Sequence, residues 1–538
     1  MDNCDLTTLP IDSTDFEELR KLNQIYVDKT DLIFEMVKFH APIFLSRPRR
    51  FGKSLLTTTI KSLFEHGLEY FEGLKISKLW NDSIYPVLYL NFSDFSQDSI
   101  ESFKDRMLTK LTSFIKRNNI NLDGFEIKDP LVLFPTMMEN LNEHIVILID
   151  EYDCQLTHSI NNPDLYEKFR SLISSFFLSI KANRNKIRFL FITGVTRHSN
   201  TSIFSGLNNL TDISLSSKYG TLVGFTDEEI YRNFSPFIEN AAKKLNTSID
   251  NIKNELKDNY DGFCFCAKLD SHVYNPWSVI QFLSAPEDGF ISYWVNSGFS
   301  SLVVEYFKSQ SKEDNNLDLF RILNTPIQLT DDDIKGRVEI INAKPESILF
   351  QSGFLTLTNK NVFGYEAMVP NFEVRKALSS TFFNILNDSK KVFVNKLDGS
   401  FKDLLLEGLN TLNIEKILDG FQCIINNFRP GTNIFAKEIN ICDALSGFIH
   451  LMGAIVKRED PENIGRSDII IYFNNIRYLF ELKIAKNESE APKKLDEALN
   501  QIIEKQYGRN TESTKLYRFG VVFNLEKRVF CLGKLLEE

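Results

Sequence analysis

The sequence predicts an α/β multidomain protein: an N-terminal parallel sheet, a mainly helical middle region and a C-terminal α/β domain. Three observations lead there. Residues 42–215 alternate short β-branched runs with amphipathic stretches, the pattern that strand–helix–strand units with a parallel sheet produce. After residue 226 the pattern turns helical, and strand-like runs return beyond about 430. A chain of 538 residues also exceeds a single core, since domains run to roughly 100–200 residues each. The expected domains are 1–225, 226–400 and 401–538.

Composition narrows the class. With 43% hydrophobic and 25% charged residues, and 46 Phe, the chain has the apolar mass for packed cores, which excludes wholesale disorder. No run approaches the roughly 18 apolar residues of a membrane span. The acidic N-terminus MDNCDLTTLP lacks the apolar segment of a secretory signal. A cytoplasmic protein with no membrane partner is expected. The seven cysteines form no CxxC pair, and Cys264 and Cys266 read as reduced core thiols. The net charge of −10 argues against a basic coat over the whole surface. From residue 432 onward, however, 16 Lys+Arg balance 16 Asp+Glu, so the acidic excess lies in the first 431 residues. A local basic groove in the tail is compatible with that balance.

The strands expected in the first part are 42–46, 87–92, 145–150, 187–193 and 212–215, with helices at 53–64, 100–116 and 164–182 between them. Ser46-Arg47-Pro48-Arg49-Arg50-Phe51-Gly52-Lys53-Ser54 lies where the first strand ends and a helix begins. That is the context of a phosphate-binding loop, in which free N–H groups of a helix N-terminus face an anion. Gly52 would let the backbone approach the phosphates, Lys53 would reach the β/γ-phosphates, and the Ser54 hydroxyl would hold Mg²⁺. Arg47 occupies the position of the first glycine of G-x-x-x-x-G-K-[ST]. Independent support comes from the 145–150 run, which ends in Asp150-Glu151. A carboxylate at that strand end can orient Mg²⁺, and Glu151 can polarise an attacking water. The plainer reading of Asp-Glu alone is an acidic turn.

The 187–193 strand, placed between the other two, would present Thr193 and Arg197 as candidates to sense the γ-phosphate. A simple glycine turn at Gly194 is the competing reading. Arg49 and Arg50 can contact phosphate or a neighbouring copy of the chain, which leaves a homo-oligomer open; a solvated basic turn is the alternative. The motifs RPRRFGKSLL, ILIDEYD, FITGVTR, IFSGLNNLTDISL and GFTDEEI follow in the order seen in the AAA-ATPase-like family of P-loop proteins, which the chain resembles. YDGFCFC with VYNPWSVIQFL, and QSGFLTLTN with VPNFEVR, are similar to that family's middle region. The resemblance implies a P-loop NTPase sheet, ATP as ligand, and Arg at position 47 as part of the family's own pattern.

In the tail, 465–473 and 476–483 read as two strands separated by Asn474-Asn475, residues that tolerate the positive φ of a two-residue hairpin turn. Phe473 then faces Ile476, and counting back places Asp468 directly opposite Glu481, with Lys483 on the same face. Like charges directly opposite cost about 0.2–1 kcal/mol. A divalent cation between them removes that conflict, and hard oxygen ligands suit Mg²⁺. Asp468 and Glu481 would hold the metal, with Lys483 positioning water or offsetting transition-state charge. A solvated hairpin with Lys483 and Arg477 as counter-charges is the competing reading.

This segment, GRSDIII…YLFELK, resembles the PD-(D/E)XK nuclease superfamily, whose domains have a restriction-endonuclease-like α/β fold. The resemblance implies a supporting role for Gln501 on the following helix. It also implies an acid ahead of a Tyr-His pair on the preceding helix. Here His450 fits while the acid position falls on Ser446 or Gly447, with Asp443 as a substitute.

The expected function is ATP-regulated, Mg²⁺-dependent cleavage of nucleic acid, with DNA as the expected substrate. A nucleotide-gated DNA- or protein-binding module with an inactive nuclease fold is the alternative.

Overall fold

The computed structural model describes residues 8–536 except 12, 39–40, 97, 123, 125–126, 198–202, 205–206, 208, 297–302, 304–321, 324, 337–342, 389–399, 427, 429–432, 452–453, 458–467, 474–475, 506 and 508–514. The turn residues Asn474 and Asn475, and part of the IFSGLNNL motif, therefore lie outside the described residues. The chain forms two compact units. One comprises Met1–Tyr306 with Gln328–Glu373, the other Phe307–Ile327 with Val374–Glu538.

The first unit is built on five strands: β1 (Ile43–Ser46), β2 (Val87–Asn91), β3 (Ile145–Asp150), β4 (Ile187–Gly194) and the short β5 (Thr211–Asp212). Their order across the sheet is β2-β3-β4-β1-β5, all parallel. The 187–193 run thus lies between the other two, as expected. Every residue of β1, β3 and β4 is buried, which is why these strands read as continuous apolar runs. Helices Lys53–His66, Ile100–Arg117 and Pro163–Ala182 form where the 3.6-residue pattern places them. Ser99 and Asn162 cap the latter two through their side chains.

Helices Asp227–Lys244 and Ile249–Tyr260 follow, the first opened by a Thr226–Glu229 capping box. Pro276–Ser284 packs into the same core, with Phe234, Tyr260 and Phe282 at its centre. The middle region is mainly helical but also holds a three-stranded sheet, β6 (Ile327–Leu329), β7 (Thr356–Asn361) and β8 (Gly364–Met368), in the order β6-β8-β7. The short helices Asp331–Lys335 and Pro345–Gln351 lie between β6 and β7 in the chain.

The second unit carries a mixed sheet of β9 (Ile455–Lys457), β10 (Ile469–Phe473), β11 (Ile476–Ala485), β12 (Lys515–Asn524) and β13 (Val529–Leu535), in the order β13-β12-β11-β10-β9. Only β11 and β12 pair in parallel; the connection between them is the Ala491–Glu504 helix. That helix packs on one face, where Ile470, Leu479, Ile502 and Tyr507 form a core. On the other side Phe421 meets Phe480 and Phe530 at 5.3 and 5.5 Å between ring centres. The stretch 401–428 holds two helices, Ser400–Thr411 and Ile414–Asn426. Leu412 stands at φ +56° between them, and Asn413 accepts from the Lys416 amide to cap the second.

Candidate functional sites

The nucleotide site grows out of the C-terminal ends of β1, β4 and β3, neighbours in the parallel sheet. β1 ends at Ser46, the chain turns through residues 47–52, and the Lys53–His66 helix starts with Gly52 at its N-cap, φ +89°. Only glycine takes that left-handed geometry without strain. No acidic side chain occupies the first turn, so the free amides and positive helix end are left uncompensated, as an anion site requires. Lys53 is buried, its ammonium pushed below the usual value by desolvation, with Glu151, Asp150 and Asp153 pulling it back. Its Nζ donates to the Arg47 and Pro48 carbonyls at 3.0 and 2.9 Å, within the loop that would embrace a phosphate.

Ser54 lies near enough to Asp150 to favour its charged form, which brings the two expected Mg²⁺ ligands together. Burial pushes the Asp150 carboxyl up to about 6, against Ser54 and Lys53. Its Oδ1 accepts from the Glu151 amide at 3.0 Å, while Oδ2 is buried without a partner. One step beyond the Ile149–Ile192 pair, the β3–β4 register sets Asp150 beside Thr193, whose hydroxyl is likewise buried and unpaired. Unsatisfied buried oxygens are costly, and a hydrated Mg²⁺ with its phosphate ligand would satisfy them; the residues present fit that group. Glu151 adopts φ +50° and Arg50 φ +67°. Such outliers in non-glycine residues concentrate at functional sites.

A cavity of about 790 Å³ runs from the Arg49–Ser54 loop and Glu151 to an apolar end at Val27, Leu222, Val223 and Ile280. Its size suits a nucleotide-sized ligand. Two predicted residues point elsewhere. Phe51 packs its ring against Phe263 and Phe265 at 4.8 and 5.1 Å, so it anchors the loop, and it is also among the residues lining the cavity. Arg197 is buried, donates to the Ile334 carbonyl and lies 3.9 Å from Asp212; like Asp150 and Thr193, it is not a lining residue of the cavity. The Arg50 guanidinium stacks 4.2 Å over Trp277, and Trp294 Nε1 donates to the Arg49 carbonyl at 3.2 Å.

Arg47 explains the missing glycine. Its fully buried guanidinium donates to the carbonyls of Ser46, Ser214 and Tyr219 and lies 4.4 Å over Phe265. Desolvation pushes it down to about 9. It works as a strut behind the loop.

In the second unit the β10–β11 register runs Phe473–Ile476, Tyr472–Arg477, Ile471–Tyr478, Ile470–Leu479 and Ile469–Phe480. One step further Asp468 meets Glu481, and Asp468 Oδ2 accepts from the Leu482 amide at 2.8 Å. Glu481 is fully buried, which removes the reading of a solvated hairpin. Burial first, and then the Asp468 charge, push its carboxyl up to about 7. Glu481 Oε1 accepts from Lys483 Nζ at 2.9 Å; Oε2 is buried with no partner. Lys483 is held above its ordinary value by Glu481, Glu438 and Asp468, against the opposing effect of burial.

Two further residues join here. Glu438, at the start of the Glu438–Leu451 helix, sets Oε2 3.7 Å from Lys483 Nζ and accepts from the Ile484 amide at 3.3 Å. Tyr507 receives a 3.1 Å hydrogen bond from Gln501 Nε2 and feels the charges of Glu481, Asp468 and Lys483. His450 is buried, with Nδ1 3.3 Å from the Ala454 carbonyl, and desolvation with nearby Arg375 keeps it neutral. Asp443 is buried in the same helix. Among the described residues no three His, Cys, Asp or Glu side chains form a metal cage on their own. Mg²⁺ keeps several waters and commonly takes one or two carboxylates. The facing pair with the unpaired Glu481 oxygen fits that mode.

Residues 10–204 match the family model described as a predicted AAA-ATPase. Residues 436–532 match the PD-(D/E)XK nuclease superfamily. The chain carries one domain of each kind. The AAA-ATPase match covers the loop, Asp150, Glu151, Thr193 and Arg197; the nuclease match covers Glu438, Asp468, Glu481, Lys483, Gln501 and Tyr507. A relative described as an uncharacterized protein in the vnfD 5′ region of Azotobacter chroococcum mcd 1 is 26% identical over 97% of both chains. Among solved structures, the Aeropyrum pernix ORC1 protein in complex with DNA overlaps 67% of this chain and 95% of its own, at 8% identity and a TM-score of 0.26. No helix among the described residues is long and apolar enough to cross a membrane.

Proposed function

We propose that the chain binds and hydrolyses ATP with Mg²⁺ at its ATPase-like domain and cleaves nucleic acid, DNA in the first instance, at its nuclease-like domain under nucleotide control. The observation that carries this reading is the facing pair of carboxylates, Asp468 half-buried and Glu481 fully buried, with the Lys483 ammonium 2.9 Å from Glu481. Residues 1–225 serve as the nucleotide domain, 226–400 as its lid and 401–538 as the nuclease domain. A cytoplasmic location belongs to the same reading, supported by the free thiols of the six described cysteines.

At the first site the loop amides and Lys53 would bind the phosphates, with Lys53 exchanging its loop carbonyls for phosphate oxygens. Arg49 and Arg50 reach the same cavity from the loop. Ser54 and Asp150 would hold Mg²⁺, which offsets charge on the transferred phosphoryl group. Glu151 would orient the attacking water, and Thr193 would sense the γ-phosphate from beside Asp150.

At the second site Asp468 and Glu481 would hold a divalent cation, which lowers the pKa of bound water and polarises the scissile phosphate. Lys483 positions the nucleophile and offsets phosphorane charge. Glu438 holds the Lys483 ammonium toward the site, and Gln501 orients the Tyr507 hydroxyl.

The test incubates supercoiled and linear DNA with the full chain, Mg²⁺ or Mn²⁺, with and without ATP. Metal-dependent nicking that responds to ATP is expected; intact DNA under every condition contradicts the nuclease reading. The lack of a third cage ligand among the described residues favours a second reading, a nucleotide-gated binding module without cleavage. In that case wild type and Glu481→Ala bind DNA equally and neither cuts.

A further inference from the structure

Asp153 sits at the N-cap position of the Cys154–His158 helix, yet its side chain makes no bond to that helix. An aspartate there ordinarily accepts from the second or third helical amide. Instead the carboxylate turns toward the strand next door. Its Oδ2 accepts from the amides of Val195 and Thr196 at 3.1 and 2.6 Å and from the Thr196 hydroxyl. It is 2% exposed, so this buried charge is held by the turn that follows β4.

The neighbouring contacts tie the same two segments. The Tyr152 amide donates to the Thr193 carbonyl at 3.2 Å, and the Tyr152 hydroxyl donates to the Thr196 carbonyl at 3.0 Å. A Cβ on Gly194 would stand 2.5 Å from Asp153 Oδ1 and 2.7 Å from the Tyr152 ring, so only glycine fits between them. The turn so held begins at Thr193, whose hydroxyl is unpaired beside Asp150.

We propose that Asp153 is a positioning residue for ATP hydrolysis: it clamps the 193–197 turn against the Asp150–Glu151 turn, so that Thr193, Asp150 and Glu151 keep one geometry around the γ-phosphate. The proposal rests on the reading of this site as an ATPase. Asp153 does not line the cavity, and its charge also helps hold up the Lys53 ammonium against desolvation. Its loss acts on the chemical step more than on ground-state nucleotide binding.

The test compares the full-length wild type with Asp153→Asn, Thr196→Val and Thr196→Ser. Binding is read with N-methylanthraniloyl-labelled ATP and turnover by phosphate release. Asparagine keeps one oxygen for the bonds made to Oδ2 but sets an NH₂ where Oδ1 accepts from the Val195 amide at 3.3 Å, and removes the charge. The kcat of Asp153→Asn should fall about tenfold while probe affinity stays within about threefold of wild type. Thr196→Val should fall in the same direction, and Thr196→Ser, which keeps the hydroxyl, should retain turnover. Unchanged kcat in Asp153→Asn, or an affinity loss that accounts for the whole effect, overturns the proposal while leaving the ATPase reading intact. A wild type that binds the probe but releases no phosphate overturns the hydrolysis reading and this proposal with it.

Discussion

Lys483 is held between two glutamates: its ammonium lies 2.9 Å from Glu481 Oε1 and 3.7 Å from Glu438 Oε2. Glu481 is two residues away on the same strand, so that contact is dictated by strand geometry. Glu438 comes from a helix 43 positions earlier than Glu481 and arrives only through packing. The second contact aims the ammonium, and each carboxylate partly offsets the cost of burying it.

Glu438→Gln keeps the shape and removes that charge. Cleavage should drop by roughly 10–100-fold, the scale typical of groups that orient metal-site residues. Far-ultraviolet circular dichroism should be unchanged. Cleavage at the wild-type rate would show that Lys483 needs no second partner.

Restoring the glycine that the phosphate-loop pattern asks for should harm this protein. Arg47→Gly leaves the buried Ser214 and Tyr219 carbonyls without their donor. The expected loss is about 2 kcal/mol of stability in the first unit, with weaker nucleotide binding. All three tryptophans, Trp80, Trp277 and Trp294, lie in that unit, so denaturant unfolding followed by tryptophan fluorescence reads it selectively. A more stable variant would refute the strut.

Glu373 makes the stability of the same unit depend on pH. Its buried carboxyl accepts from Ser278 Oγ and the Trp294 amide, both at 2.7 Å, and burial pushes it from 4.5 up to about 7. Between those values the folded chain keeps a proton that the unfolded chain releases. Stability contributed by this group is present below pH 4.5 and is lost as pH rises to about 7, by up to about 1.4 kcal/mol per unit. Above that it is constant. Glu373→Gln should flatten the profile between pH 5 and 7 in tryptophan-monitored unfolding. Parallel profiles for wild type and variant would contradict this.

Much of this was legible because the informative signals were local. The runs 145–150 and 187–193 are buried on both faces, so their composition announces central strands. The Asp468–Glu481 pairing follows from counting along a hairpin, and the observed register agrees with it. What stayed hidden depends on residues far apart in the chain. Arg197 read as a phosphate sensor, yet a carbonyl 137 residues later, at Ile334, draws its guanidinium inward. Arg47 read as a vacant glycine because Ser214 and Tyr219, its acceptors, lie more than 160 residues on. The break at Leu412 was invisible because nothing in LNTLNIE marks a residue that adopts φ +56°. The β6-β8-β7 sheet lies in short segments whose periodicity is too brief to register.

The central claim is that the facing acids of β10 and β11 bind the metal used for cleavage. It is tested most directly by titrating Mn²⁺ against plasmid nicking for wild type and Asp468→Asn side by side. Wild type should cut with saturable dependence on the metal, and Asp468→Asn should show no cutting, or need at least about tenfold more Mn²⁺. Equal cutting by both proteins at equal Mn²⁺, or intact plasmid with wild type across the whole titration, would contradict the account.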